Sequence, residues 1–205
     1  MRNVFLGTTA FAAVILRRLA DSAHRPQLVI TRPDAKQGRG QRLSPPPVAV
    51  LARELGIDVI QPEKLHEPEI LERIASVDPE VLTTCAYGVL IKEPLLSDYE
   101  MINVHPSLLP RWRGAAPIER AIMAGDAETG VAIMRVTAGW DAGAVYGIER
   151  TPIGPDDDYG TLAARRVRAG DDQRRAVLAR GEPLEHRGGE AGGAEVDGAQ
   201  VRRRR

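Results

Sequence analysis

Asn103 and His105 stand two residues apart in the short run Ile102-Asn103-Val104-His105. On a strand that spacing turns both side chains to one face. A carboxamide N–H beside an imidazole can stabilise an oxyanion and move a proton. A third candidate, Asp141, lies in Gly139-Trp140-Asp141-Ala142-Gly143. Glycines on both sides suggest a turn that presents the carboxylate. Beside His105 it would favour the protonated imidazole and fix the ring's orientation. Each feature taken alone also fits a bland role, a histidine satisfied by nearby backbone or an ordinary Asp-Ala-Gly turn.

Other candidates are weaker. Gly7-Thr8-Thr9 could place helix N–H groups against an anion, but a dinucleotide fingerprint needs three spaced glycines and only Gly7 is there. None of His24, His66, Cys85 and His186 sits at metal-ligand spacing, so no metal is expected. The single Cys85 excludes a disulfide within the chain and reads as a small core residue. Arg111 and Arg113 suit structural ion pairs as well as ligand contacts, and Trp112 suits packing.

Residues at these positions need a scaffold, and the sequence supplies an alternating one. Strands are expected over residues 3–7, 28–31, 58–60, 81–85 and 102–105, as short apolar runs. Helices are expected over 11–19, from Pro47 to about Leu55, over 68–74 and over 115–123. Thr8 or Thr9 can cap the first helix. Residues 131–136 and 145–150 read as later strands that form a mixed edge. Strand and helix in this order mean a doubly wound, mostly parallel α/β sheet, with ligands beyond the carboxyl ends of its strands. Arg32 to Arg42 reads as a polar loop with four bases (Arg32, Lys36, Arg39, Arg42) and one acid (Asp34).

Composition sets the outer limits. The chain has 205 residues, 43% hydrophobic and 27% charged, so it can bury a core. Twenty-eight basic and 28 acidic side chains cancel, and no global field points to a membrane or a nucleic acid. No apolar run is long enough for a bilayer span and no secretory segment opens the chain, so a cytoplasmic protein is expected. Residues 163–205 differ from the rest, with eleven Arg, seven acids and seven Gly but no Lys, Ile or aromatic residue. Little apolar surface is available there to offset ordering entropy, and the segment reads as an Arg/Gly-rich tail after a domain spanning residues 1–162.

The stretch Ser107-Leu108-Leu109-Pro110-Arg111-Trp112-Arg113-Gly114-Ala115-Ala116-Pro117-Ile118 resembles the signature of the methionyl-tRNA formyltransferases. Asn103, His105 and the distant Asp141 resemble the Asn, His and Asp set of the wider folate-dependent formyltransferases. Phe5-Leu6-Gly7-Thr8, Arg32-Pro33-Asp34 with Gly38-Arg39-Gly40, Ala86-Tyr87-Gly88, residues 124–130 and Gly160-Thr161-Leu162 follow that family's order. The likeness covers roughly residues 1–162. It departs at Thr9 and Ala10, where the family usually has Pro and an acid, and at Ala142, where it usually has Thr.

The resemblance implies a Rossmann-like domain that uses 10-formyltetrahydrofolate as co-substrate and formylates the α-amine of initiator methionyl-tRNA. It implies Asn103, His105 and Asp141 as catalytic residues. Ser107, Leu108, Leu109 and Pro110 would contact the folate, and Arg39 and Arg42 the tRNA. Asn103 and a protonated His105 would both donate to the oxyanion. No metal is required, and a monomer without membrane contacts is expected. Other acceptors within the class are glycinamide ribonucleotide, a nucleotide-sugar amine or water, and a non-catalytic remnant that binds folate or tRNA is the alternative. The family's remaining catalytic helix, linker and β-barrel would follow Leu162. The break in composition instead predicts a frameshift near Ala164 to Arg166, or a truncated gene, which translation of the neighbouring DNA frame tests. The rival reading is an RNA-binding tail that ends in Arg202 to Arg205.

Overall fold

The computed structural model describes residues 1–37 and 40–163. The expected tail therefore lies outside the described residues, apart from Ala163. Strand β1 (Asn3–Gly7) leads into helix α1 (Ala10–Ala20), and β2 (Leu28–Ile30) follows. A two-stranded ribbon comes next, β3 (Ala35–Gln37) with β4 (Arg42–Ser44), and then α2 (Pro47–Glu54) and β5 (Asp58–Ile60). The order continues α3 (Pro68–Ala75), β6 (Val81–Cys85), α4 (Leu95–Asp98), β7 (Met101–His105), α5 (Pro117–Met123), β8 (Glu128–Arg135) and β9 (Val145–Pro152).

The main sheet runs β5-β2-β1-β6-β7-β8-β9. The first five strands are parallel, whereas β8 lies antiparallel to β7 and β9 antiparallel to β8. This is the doubly wound, mostly parallel sheet with a mixed edge that the sequence predicts. From β1 the chain steps outward to β2 and β5, then returns to β6 on the other side of β1. The reversal opens a crevice beyond the ends of β1 and β6, the position where doubly wound sheets hold ligands.

Strand parity builds both faces. Phe5, Val29, Ile102 and Val104 face one way and pack on Phe11, Ile15, Leu16 and Leu19 of α1 and on Val48 and Ala52 of α2. Val4, Leu6, Leu28, Ile30, Leu82 and Met101 face the other way, against Ile74 of α3 and Leu95 of α4. Buried on both sides, these strands have no polar–apolar alternation, which is why they read as continuous apolar runs. The Thr9 hydroxyl caps α1 by accepting from Ala12 N–H at 3.3 Å. Pro47, Pro68 and Pro117 each sit in a first helical turn, where a missing N–H costs nothing.

Three local expectations change. The polar loop is a ribbon, with Ala35 opposite Ser44 and Lys36 opposite Leu43. Its exposed residues leave no buried face to print a period-two signal. Gln61 anchors its base, donating to the Arg32 carbonyl at 2.9 Å and to Asp34 at 2.7 Å while accepting from Arg53 at 2.7 Å. Helix α5 begins at Pro117 rather than Ala115, because Ala116 has φ +53° and ψ +45° and cannot belong to a right-handed turn. The single turn α4 is too short to show helical spacing.

Candidate active site

The carboxyl end of β7, beside that of β6, carries the first two candidate side chains, Asn103 and His105. Register sets Thr84 opposite Asn103. The alternation that sends Ile102 and Val104 to one core sends Asn103 and His105 to the opposite face. The third group arrives from the turn between β8 and β9, where Asp141 adopts φ +43°. All three line one cavity of about 560 Å³. Its walls come from the loop after β6 (Tyr87 to Ile91), the segment Gly114 to Pro117, and the turn Thr137 to Trp140.

The polar contacts within this group are specific. Asp141 Oδ2 lies 3.5 Å from His105 Nδ1 and accepts the Gly114 backbone N–H at 2.8 Å. Its Oδ1 lies 3.4 Å from Asn103 Nδ2. A carboxylate only accepts, so the amide end facing Asp141 is the NH₂. The Asn103 carbonyl oxygen is then left to accept the Thr84 hydroxyl, at 2.9 Å. One amide N–H points toward Asp141, and the second can serve an oxygen placed in the cavity.

His105 is held from both sides. Its Nε2 lies 2.9 Å from the Trp112 carbonyl, which also only accepts, so Nε2 carries a hydrogen. Nδ1 is left facing Asp141, where a protonated ring donates and a neutral ring offers a lone pair. The side chain is only 5% exposed. The ring therefore has no nitrogen left to be the second oxyanion donor implied by the family resemblance. What the pair can do is pass a proton between Nδ1, Asp141 and a nearby substrate atom.

Backbone strain gathers here. Among the described residues, six non-glycine residues have positive φ, and four of them are Ala86, Trp112, Ala116 and Asp141. Three of the four line the cavity, and the fourth presents its carbonyl to His105. Each left-handed residue costs about 1–2 kcal/mol, and such outliers concentrate at functional sites. Tyr87 lines the same cavity, and burial pushes its phenol up to about 12, so it stays neutral.

The remaining expected residues fall elsewhere. Ser107, Leu108, Leu109 and Pro110 are not among those lining the cavity. Ser107 is buried and donates to the Arg111 carbonyl at 2.7 Å, and Leu109 packs on Ala132 and Met134. The chain after β7 turns Ser107 and Leu109 into the protein, leaves Leu108 half-buried and Pro110 exposed, and the Leu109–Pro110 bond is cis. Arg42 is exposed on β4, and Arg39 lies outside the described residues. Arg111 does form an ion pair, with both Asp126 oxygens, at 2.9 and 2.6 Å. Among the described residues no cluster of His, Cys, Asp and Glu is placed to hold a metal ion, and no helix is long and apolar enough to cross a membrane.

Sequence reasoning missed Thr84, Gly114 and the Trp112 carbonyl. Thr83-Thr84 in an otherwise apolar strand was the visible signal for the first. Backbone groups leave no sequence signal of their own.

The chain is 47% identical over 167 residues to a methionyl-tRNA formyltransferase from Methylococcus capsulatus, covering 80% of this chain and 54% of that protein. It is 48% identical over 160 residues to the enzyme of that name from Neisseria meningitidis, covering 77% and 52%. The chain thus spans about half the length of the curated relatives it matches. A phosphoribosylglycinamide formyltransferase structure from Bacillus halodurans shares the fold, with a TM-score of 0.71 at 24% identity over 90% of this chain and 98% of that one. The sequence profile described as formyl transferase matches residues 1–176, past the boundary expected at Leu162, and the chain belongs to the formyl transferase family.

Proposed function

We propose that this chain transfers a formyl group from 10-formyltetrahydrofolate to the α-amine of initiator methionyl-tRNA. The observation that carries the reading is the meeting of Asn103, His105 and Asp141 in one cavity, with Asp141 3.4 Å from the Asn103 amide and 3.5 Å from the His105 ring. The names of the relatives support methionyl-tRNA as acceptor. The cavity suits a planar heterocyclic donor, with Val89, Leu90, Ile91 and Trp140 as apolar walls, and its size falls within the range for small-molecule sites.

The residues divide the reaction as follows. Attack of a neutral amine on the formyl carbon places negative charge on oxygen and positive charge on nitrogen. Asn103, its carbonyl held by Thr84, donates an N–H to that oxygen. Asp141 accepts the proton shed by the amine, and the His105 Nδ1 beside it can store the proton or return it toward the folate nitrogen that leaves. Gly114 N–H keeps the carboxylate in place throughout. The cavity walls join Ser107–Pro110 as candidates for the folate contact, while Arg39 and Arg42 remain the candidates for the tRNA end.

Formyl transfer measured with methionyl-tRNA, phosphoribosylglycinamide and water as acceptors tests the reading. Formyl-methionyl-tRNA as the main product supports it, and preference for another acceptor overturns the substrate. The alternative reading is a domain that binds the folate without turnover. That reading requires a thermal shift with 10-formyltetrahydrofolate and no product.

A further inference from the structure

Asp126 does not line the cavity, yet it is joined to His105 through a single residue. Its carboxylate accepts Arg111 Nε and Nη2, at 2.9 and 2.6 Å, and the Trp112 indole N–H at 2.6 Å. The Arg111 guanidinium lies over the Trp112 ring, 4.4 Å from its centroid. Trp112 is thus gripped at its edge and on its face, while its backbone holds φ +60°, a conformation that a tryptophan does not adopt unaided. The carbonyl of this same residue receives His105 Nε2–H. Ser107 secures the neighbouring peptide by donating to the Arg111 carbonyl. Asp126 itself is anchored at the end of α5, its N–H donating to the Ala121 carbonyl at 3.0 Å.

We propose that Asp126 is a positioning residue: by clamping Trp112 in its left-handed conformation it aims the Trp112 carbonyl at His105 and fixes the Nε2–H tautomer. The consequence reaches the reaction proposed above, because an Nε2–H ring must turn Nδ1 toward Asp141, where the proton moves. Arg111 and Trp112 hold the Asp126 carboxyl well below its usual range, so the clamp keeps its charge at neutral pH. A purely structural ion pair would fix the loop without deciding which ring nitrogen holds hydrogen.

Long-range proton–nitrogen correlation spectra of the full ¹⁵N-labelled chain, recorded above the histidine titration, separate the two cases. His105→Gln identifies the His105 signals among the four histidines. The wild type is expected to show only the Nε2–H form. Asp126→Asn, and independently Trp112→Phe, which removes the indole N–H with its pyrrole ring but keeps an aromatic face for Arg111, should give mixed tautomers, and Asp126→Glu should restore part of the wild-type pattern. An unchanged Nε2–H signal in either folded variant overturns the proposal, and Trp112→Phe decides alone if Asp126→Asn does not fold. In formyl transfer, Asp126→Asn should lower kcat about 10–100-fold, by analogy with the groups that orient metal-ligating histidines, with KM for the formyl donor unchanged. A raised KM at constant kcat would also overturn it. The kinetic arm rests on the formyl-transfer reading, but the spectroscopic arm does not, so an inactive wild type would sink that reading and leave the tautomer to judge Asp126.

Discussion

The Thr84 hydroxyl donates to Asn103 Oδ1 at 2.9 Å, across the pairing that sets these two residues opposite each other on β6 and β7. This bond, with Asp141 on the other side, decides which end of the amide is the donor facing the cavity. Thr84→Val removes the hydroxyl at nearly constant shape. It should weaken transition-state stabilisation by about 1 kcal/mol, roughly fivefold in kcat. Asn103→Ala removes the donor itself and should cost about 2.7–4 kcal/mol, or about 10²–10³ in kcat. Single-turnover formyl transfer measures both, and equal losses would show that Thr84 does more than orient the amide.

Asp141 sits at φ +43°, a conformation that Asn tolerates as readily as Asp. Asp141→Asn should therefore keep the fold while removing the charge beside His105. Loss of a positioned acid–base group is expected to lower kcat by about 10²–10⁴. Circular dichroism with a turnover assay checks it, and turnover within tenfold of wild type would remove the carboxylate from the proton path.

The turn that carries Asp141 depends on a close backbone approach. A Cβ at Gly143 would overlap the Arg135 carbonyl oxygen. Gly143→Ala should cost about 1–3 kcal/mol or more by overpacking, and should also displace Asp141. Gly125 offers a control, since it has φ +67° but open space around its Cβ position. Gly125→Ala should cost only the left-handed penalty, about 1 kcal/mol, and leave turnover intact. Urea denaturation of the two variants tests the ranking.

Asp126 gives a pH signature. Hydrogen bonds from Arg111, and then from Trp112, hold its carboxyl at about 2, below the ordinary 3.8. A depressed folded-state pKa contributes stability above the unfolded value and loses it as pH falls through the folded one. Melting temperature should thus fall more steeply between about pH 4 and pH 2 in the wild type than in Asp126→Asn. Parallel curves would show that the Arg111–Asp126 pair does not couple to unfolding.

Much of this was legible in the chain because it depends on near neighbours. Phe5 between Val4 and Leu6 marks a strand buried on both faces, and the Asn103–His105 spacing forces a shared face whatever lies nearby. The Ser107 to Pro110 segment shows where such reasoning stops. Its residues match a signature, but which way Ser107 and Leu109 point depends on the backbone path after β7. Thr84 was visible only as a polar residue in an apolar strand, since its partner is set by strand pairing 19 residues away.

From sequence alone came the alternation of elements, the parity of side chains on each strand, the proline starts of the helices and the three candidate residue types. These follow from local sterics and from periodicities of 2 and 3.6, which each segment carries within itself. Tertiary structure alone decided that Asp141 meets His105, that Trp112 supplies the acceptor which selects the ring's tautomer, and that Thr84 turns the Asn103 amide. Such contacts depend on sheet register and on strained loop backbones, and those are settled only when segments distant in the chain are packed together.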